Sequence, residues 1–200
     1  MRIAVVGFKG GVGKTTTAIH LAAYFQTRAA TLLIDGDPNR SATDWARAGL
    51  LPFRVEDERR ASRTGVARDY AHVVVDTEAR PKPADLRDLA SDFDLLVVPT
   101  SPDVLSLKAL KQTLDALHSL GADSFKVLLT ICPPKPSRDA DDARTDLLAA
   151  GVPVFRSTIP RLVAFSKAAL AGVVVSEAED RRAAAAWSAY LEAGKEIARG

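Results

Sequence analysis

Phe8–Thr16 reads F-K-G-G-V-G-K-T-T, with the apolar run Ile3–Val6 just before it and a helical pattern just after it. A strand, a glycine-rich turn and a helix in direct succession form a loop built around an anion. Gly10, Gly11 and Gly13, with Val12 between them, turn successive backbone N–H groups inward on a phosphate. Lys14 supplies a charge for the β- and γ-phosphates, and Thr15, with Thr16 beside it, supplies a hydroxyl for Mg²⁺. The helix that begins there adds its N-terminus as an anion site. The usual pattern opens on glycine, whereas this chain has Phe8 in that position. Lys9 is a second lysine, beyond what one phosphate cradle needs.

The rest of the chain supports the same architecture. Apolar, β-rich runs recur at Ile3–Val6, Thr31–Ile34, His72–Val75, Leu95–Val98 and Lys126–Ile131, with a weaker one at Val152–Phe155. Continuous runs of this kind suit strands covered on both faces. Helical patterns lie between them at Thr15–Arg28, Ala84–Ala90, Val104–Leu120 and Asp139–Ala150. The alternation predicts an α/β fold: a mostly parallel sheet with helices on both faces. At 200 residues and 47% apolar content, one domain over residues 1–200 has core enough of its own.

A sheet of this kind gathers its ligand at the carboxyl ends of the strands. Those ends read Asp35-Gly-Asp37-Pro38, Asp76-Thr-Glu78 and Pro99-Thr-Ser-Pro-Asp103, a recurrence of acidic and hydroxyl residues that suits a Mg²⁺-nucleotide centre. Val73-Val-Val-Asp76 is an apolar strand ending in a carboxylate, placed to hold Mg²⁺ with the Thr15 hydroxyl. Ser41 is a good N-cap for a helix carrying Trp45, which is expected to pack.

Lys9 with the residues after it, K-G-G-V-G-K-T-T, resembles the signature of the ParA/MinD family of deviant Walker-A ATPases, a branch of the P-loop NTPase fold. The resemblance runs from Arg2 to about Ile197 and is nearest to the small plasmid-type ParA proteins. It implies ATP and Mg²⁺ as cofactors, with hydrolysis weak alone and stimulated by a partner. It implies that Lys9 crosses a nucleotide-sandwich homodimer to the other subunit's phosphates while Lys14 acts in cis. The segment Asp35-Gly-Asp37-Pro38-Asn39 resembles the family's D-x-D-P-Q motif, which makes Asp37 the residue that orients the attacking water. Asp35 is then a structural or Mg²⁺-shell partner. Thr158-Ile-Pro160-Arg161 resembles a T-x-I-P-R segment that places Pro160 against the base. Two departures stand out: Asn39 replaces a glutamine, and Thr77-Glu78-Ala79-Arg80 replaces small residues and prolines after Asp76.

By the same resemblance, Arg161, Lys167, Arg181 and Arg182 fall where family members present basic side chains to DNA. Contacts of that type would be sequence-independent and salt-sensitive. The implied role is an ATP-driven switch that partitions or positions a plasmid, chromosome or other cargo, with a ParB-like or adaptor protein as partner. The implied location is cytoplasmic and nucleoid-associated. A MinD-like membrane-cycling ATPase is an alternative. The C-terminal stripe Trp187, Tyr190, Leu191, Gly194 and Ile197 is expected to dock on the core instead, because Glu192 and Glu196 accompany Lys195 and Arg199 on its other face. A small-molecule ligase on the same scaffold is a second alternative, for which the segment between Leu51 and Ala71 is expected to be too short to build a substrate pocket. Cys132, the single cysteine, leaves no Cys-x-x-Cys cluster for zinc or an iron–sulfur centre and suits a reducing compartment. His20, His72 and His118 share no spacing and are expected to be structural.

Overall fold

The computed structural model describes residues 1–199. Among these residues seven strands form one sheet: β1 (Arg2–Val5), β2 (Thr31–Gly36), β3 (Arg54–Asp57), β4 (His72–Thr77), β5 (Leu95–Thr100), β6 (Phe125–Cys132) and β7 (Val154–Pro160). Their order across the sheet is β3-β2-β4-β1-β5-β6-β7, and every pairing is parallel. The α-helices are α1 (Lys14–Gln26), α2 (Ser41–Trp45), α3 (Glu58–Thr64), α4 (Pro83–Asp92), α5 (Val104–Ser119), α6 (Asp139–Ala149), α7 (Val163–Ala171) and α8 (Ala183–Ala198).

Strand alternation divides the apolar side chains between two core layers. Ile3, Val5, Leu33, Val74, Val97 and Leu128 join one cluster with residues of α1, α2, α7 and α8. Ala4, Val6, Leu32, Val73, Val75, Leu96, Val98, Val127 and Leu129 join the other with α3, α4, α5 and α6. Both faces of the sheet are thus sealed, which is why its strands read as unbroken apolar runs.

The C-terminal helix docks on the core through Ala186, Tyr190, Ala193, Gly194 and Ile197, while Trp187 and Leu191 are only partly buried. Glu196, expected on the other face, instead accepts the Arg156 and Ser157 N–H groups of β7 at 2.8 and 2.7 Å. Among the described residues no helix is long and apolar enough to cross a membrane. Three elements differ from expectation. The weak run at Val152 becomes β7, which continues to Pro160, so the T-x-I-P-R segment lies within and just beyond that strand. Residues 163–171 form a helix, α7. Residues 54–64 form β3 and α3, and α3 with α4 borders a second cleft of about 830 Å³. The expectation that this stretch leaves no room for a pocket is therefore corrected: a strand and helix add an edge to the sheet and open a crevice beside it.

Candidate functional site

β1 ends at the middle of the sheet, where successive strands leave in opposite directions, β4 and β2 to one side and β5 to the other. Crevices form at such reversals, at the carboxyl ends of the strands. The glycine loop sits there, with Gly11 and Gly13 at φ 77° and 83°, conformations that a Cβ would disfavour. Gly13 is the N-cap of α1, so the loop hands the anion directly to a helix N-terminus.

The loop borders an open cleft of about 880 Å³. Gly10, Gly11, Gly13, Lys14, Thr15 and Thr16 line one side, Asp37, Asn39 and Ser41 another, and Thr130, Ile131, Pro160, Arg161 and Leu162 the far end. Pro160 thus stands in the cleft's wall, and so does Arg161, one of the basic candidates. Val12 does not line the cleft: its side chain is buried and its carbonyl accepts the Thr130 hydroxyl at 2.8 Å. Its N–H alone remains available to an anion.

Lys14 is buried, and its ammonium donates to the Lys9 carbonyl at 3.2 Å. Burial lowers its pKa, with Asp76 and Asp37 acting the other way. Asp76 lies behind the loop at zero exposure, and neither carboxylate oxygen has a hydrogen-bond partner. Burial pushes its carboxyl up to about 7, with the neighbouring Thr15 hydroxyl tempering the shift. A buried carboxylate with no partner is costly unless something cationic joins it. The Asp76 oxygens and the Thr15 hydroxyl therefore fit a divalent cation whose remaining ligands are phosphate oxygens and water. Among the described residues no group of three or more His, Cys, Asp or Glu could hold a metal by itself, so such a cation would need the nucleotide to complete its shell.

Asp35 and Asp37 separate in role. Asp35 accepts the Thr43 N–H at 2.7 Å, the Thr43 hydroxyl at 2.6 Å and the Asp37 N–H at 3.2 Å. Both its oxygens thus organise the turn into α2. Asp37 projects into the cleft, its Oδ1 accepting the Asn39 N–H at 2.8 Å.

Lys9 turns away from the cleft of its own subunit. Its ammonium donates to Ser106 Oγ at 2.7 Å and to Asp103 Oδ1 at 3.4 Å, at the start of α5. Of the basic residues, Lys167 is tied to Asp180 at 3.0 Å and to the Glu179 carbonyl at 3.1 Å. Arg181 and Arg182 are exposed at the start of α8. His20, Trp45, Phe165 and Tyr190 pack together under the cleft, with His20 stacked on Tyr190 at 4.8 Å between ring centroids.

Sequence reasoning missed Ile131. This β-branched residue adopts φ 53° where β6 and β7 lose register, and it lines the cleft's far end. A left-handed conformation there is an outlier of the kind that clusters at functional sites. Nothing in a run of apolar residues signals such a bulge.

A phosphate cradle at a sheet's topological reversal, backed by an orphaned carboxylate, defines a nucleotide-binding α/β protein. The family model for the CobQ/CobB/MinD/ParA nucleotide binding domain matches residues 3–175. The chain belongs to this family, and within it to the ParA/MinD-type ATPases. Maintenance of carboxysome distribution protein A from Gloeobacter kilaueensis is 35% identical over 202 residues, covering 98% of this chain and 94% of the relative. MinD from Aquifex aeolicus superposes with a TM-score of 0.76 at 16% identity, covering 100% and 97% of the two chains. A plasmid partition protein from Borrelia burgdorferi, solved with AMPPNP, gives 0.72 at 15% identity and covers 98% of both.

Proposed function

We propose that the chain, acting as a single domain over residues 1–200, is an ATP-dependent dimerising switch that binds DNA without sequence preference and positions a cytoplasmic cargo. The observation that carries this reading is the placement of the two lysines. Lys14 lies in the cleft of its own subunit, whereas Lys9 stands outside it. We read a lysine so placed as the one that serves the phosphates of a second subunit, with ATP as the glue of a homodimer.

In the proposed site, Gly10, Gly11, Gly13 and the N–H of Val12 cradle the phosphates, with Lys14, Thr15 and Thr16 at the start of α1. Mg²⁺, held by Thr15 and Asp76, would neutralise phosphate charge. Asp37 orients the attacking water, and Pro160 and Ile131 flank the base. Phosphoryl transfer needs little more than such positioning and charge compensation. Arg181 and Arg182 are the better DNA contacts, since Lys167 is paired within the chain and Arg161 borders the cleft. The relative named for carboxysome distribution supports a positioning role; a ParB-like or adaptor protein would stimulate hydrolysis.

The test is DNA retention by the purified protein with ATP, with ADP, and by Lys9→Ala with ATP. Retention only by the parent with ATP is expected; equal retention in all three sinks the switch. Lys14→Ala should lose nucleotide binding, and Asp37→Ala should keep the dimer but hydrolyse slowly.

A further inference from the structure

Two residues that break the usual pattern, Phe8 at the head of the loop and Arg80 after Asp76, meet in space. The Arg80 guanidinium lies over the Phe8 ring, 5.7 Å from its centroid. The Arg80 N–H donates to the Gly7 carbonyl at 3.3 Å, and its side chain donates to Gln112 Oε1 at 3.3 Å. Phe8 in turn donates its N–H to Thr113 Oγ1 at 3.2 Å. Neighbouring residues of α5 thus seat both partners, and the same helix holds Lys9 through Ser106.

Arg80 adopts φ 66°, a region that residues with a Cβ enter only when their surroundings hold them there. The three contacts of Arg80 supply that hold. The held segment matters: Ala79, the preceding residue, lines the cleft, and Asp76 lies four residues upstream.

We propose that Arg80 and Phe8 form a clamp tying the segment after Asp76 to the lysine-bearing edge of the phosphate loop, making Arg80 a positioning residue for the metal-bound nucleotide. The role at the nucleotide rests on the function proposed above; the clamp itself does not. Its energy is that of an exposed cation–π contact with one supporting hydrogen bond, so its effects are several-fold.

The experiment compares Arg80→Met, Phe8→Leu, the double variant, and the conservative Phe8→Tyr and Arg80→Lys. One arm follows amide hydrogen exchange of residues 77–80 in the nucleotide-free protein. The other measures affinity for a fluorescent ADP analogue with Mg²⁺ and with EDTA. Arg80→Met and Phe8→Leu should each speed exchange about two- to five-fold and shrink the Mg²⁺-dependent gain in affinity by a similar factor. Affinity in EDTA should stay at the parent value. The double variant should be no worse than either single, Phe8→Tyr should match the parent, and Arg80→Lys should recover part of the loss. Parent-like exchange and Mg²⁺ gain in Arg80→Met, or effects that multiply in the double variant, would overturn the clamp. A parent that fails to bind the analogue would overturn the nucleotide reading, and exchange would still decide the clamp.

Discussion

The Lys9 ammonium sits 2.7 Å from Ser106 Oγ within its own subunit, with Asp103 beside it at 3.4 Å. Asp103 also caps α5 through the Ser106 N–H at 2.9 Å. The Ser101 and Ser106 hydroxyls hold its carboxyl well below the usual carboxylate range, so its charge persists at any working pH. On the proposed switch, Lys9 must first leave this cradle to reach a second subunit. Asp103→Asn removes the charge while keeping a good cap. The pair is partly solvated, so about 0.2–1 kcal/mol is at stake. We therefore expect ATP-driven dimerisation of Asp103→Asn at up to about five-fold lower protein concentration, read by sedimentation. An unchanged dimerisation midpoint would show that Lys9 is not held back by Asp103.

Asp76 makes the metal-free fold pH-sensitive. Its carboxyl titrates near 7 when folded against 3.8 in its ordinary state. Between those values the folded protein holds a proton that the unfolded chain has released, so this group lowers stability as pH rises from about 4 to about 7. Asp76→Asn should stabilise the metal-free protein at pH 8, by an amount on the order of a few kcal/mol, and leave it nearly unchanged at pH 4. The same variant should lose the Mg²⁺-dependent part of nucleotide affinity. Denaturant titrations at the two pH values check the first effect; equal shifts at both would remove the assignment.

Much of this site is legible in the sequence because strands sealed on both faces are written as apolar runs, and the residues at the carboxyl end of each run are the ones the crevice collects. Asp37, Asp76 and the glycine loop stand out that way, and β1, β2, β4, β5 and β6 with them. β3 does not, because Arg54-Val-Glu-Asp57 is a short edge strand whose side chains are mostly polar and mimic a loop. The Phe8–Arg80 contact is invisible for a different reason: each residue alone reads as a defect in a motif, and only the parallel pairing of β1 with β4 brings the ends of those strands together. Lys167 illustrates the converse, since no local pattern pairs it with Asp180 across a turn.

His20 counters Asp76 over part of the same pH range. The Val175 N–H donates to His20 Nε2 at 3.1 Å, so that nitrogen carries no proton, and Nδ1–H donates to the Thr16 carbonyl at 2.6 Å. Burial lowers its pKa from 6.5 to about 4. Here the unfolded chain takes up the proton first, so stability is lost as pH falls from about 6.5 to about 4. In the parent the two groups offset one another between about pH 4 and about pH 6.5. In Asp76→Asn the His20 slope should stand exposed at close to ~1.4 kcal/mol per pH unit. Adding His20→Phe should flatten it, at a cost of ~1–3 kcal/mol for the orphaned Val175 N–H. A slope that survives His20→Phe would assign the titration elsewhere.

The docking of α8 depends on a glycine that has no role as a turn. A Cβ on Gly194 would overlap the ring carbons of Tyr24, itself buried in α1. In a helix interior glycine is unfavourable by about 1 kcal/mol against alanine. The close approach of α8 to α1 outweighs that propensity, because the Tyr24 ring is boxed in by Phe25 at 5.1 Å and by the Arg28 guanidinium 4.7 Å above it. Gly194→Ala should therefore destabilise, by ~1–3 kcal/mol once the propensity gain is set against overpacking. Tyr24→Leu in the same chain should relieve the clash and recover part of the loss, read as thermal unfolding midpoints of the three variants. α8 carries Tyr190, whose hydroxyl lies 3.0 Å from Thr17 Oγ1 next to the phosphate loop's helix start, so a displaced α8 should also weaken nucleotide binding. If Gly194→Ala instead gains stability, α8 is not held to α1 by this contact, and the link from the C-terminal helix to the nucleotide cleft fails with it.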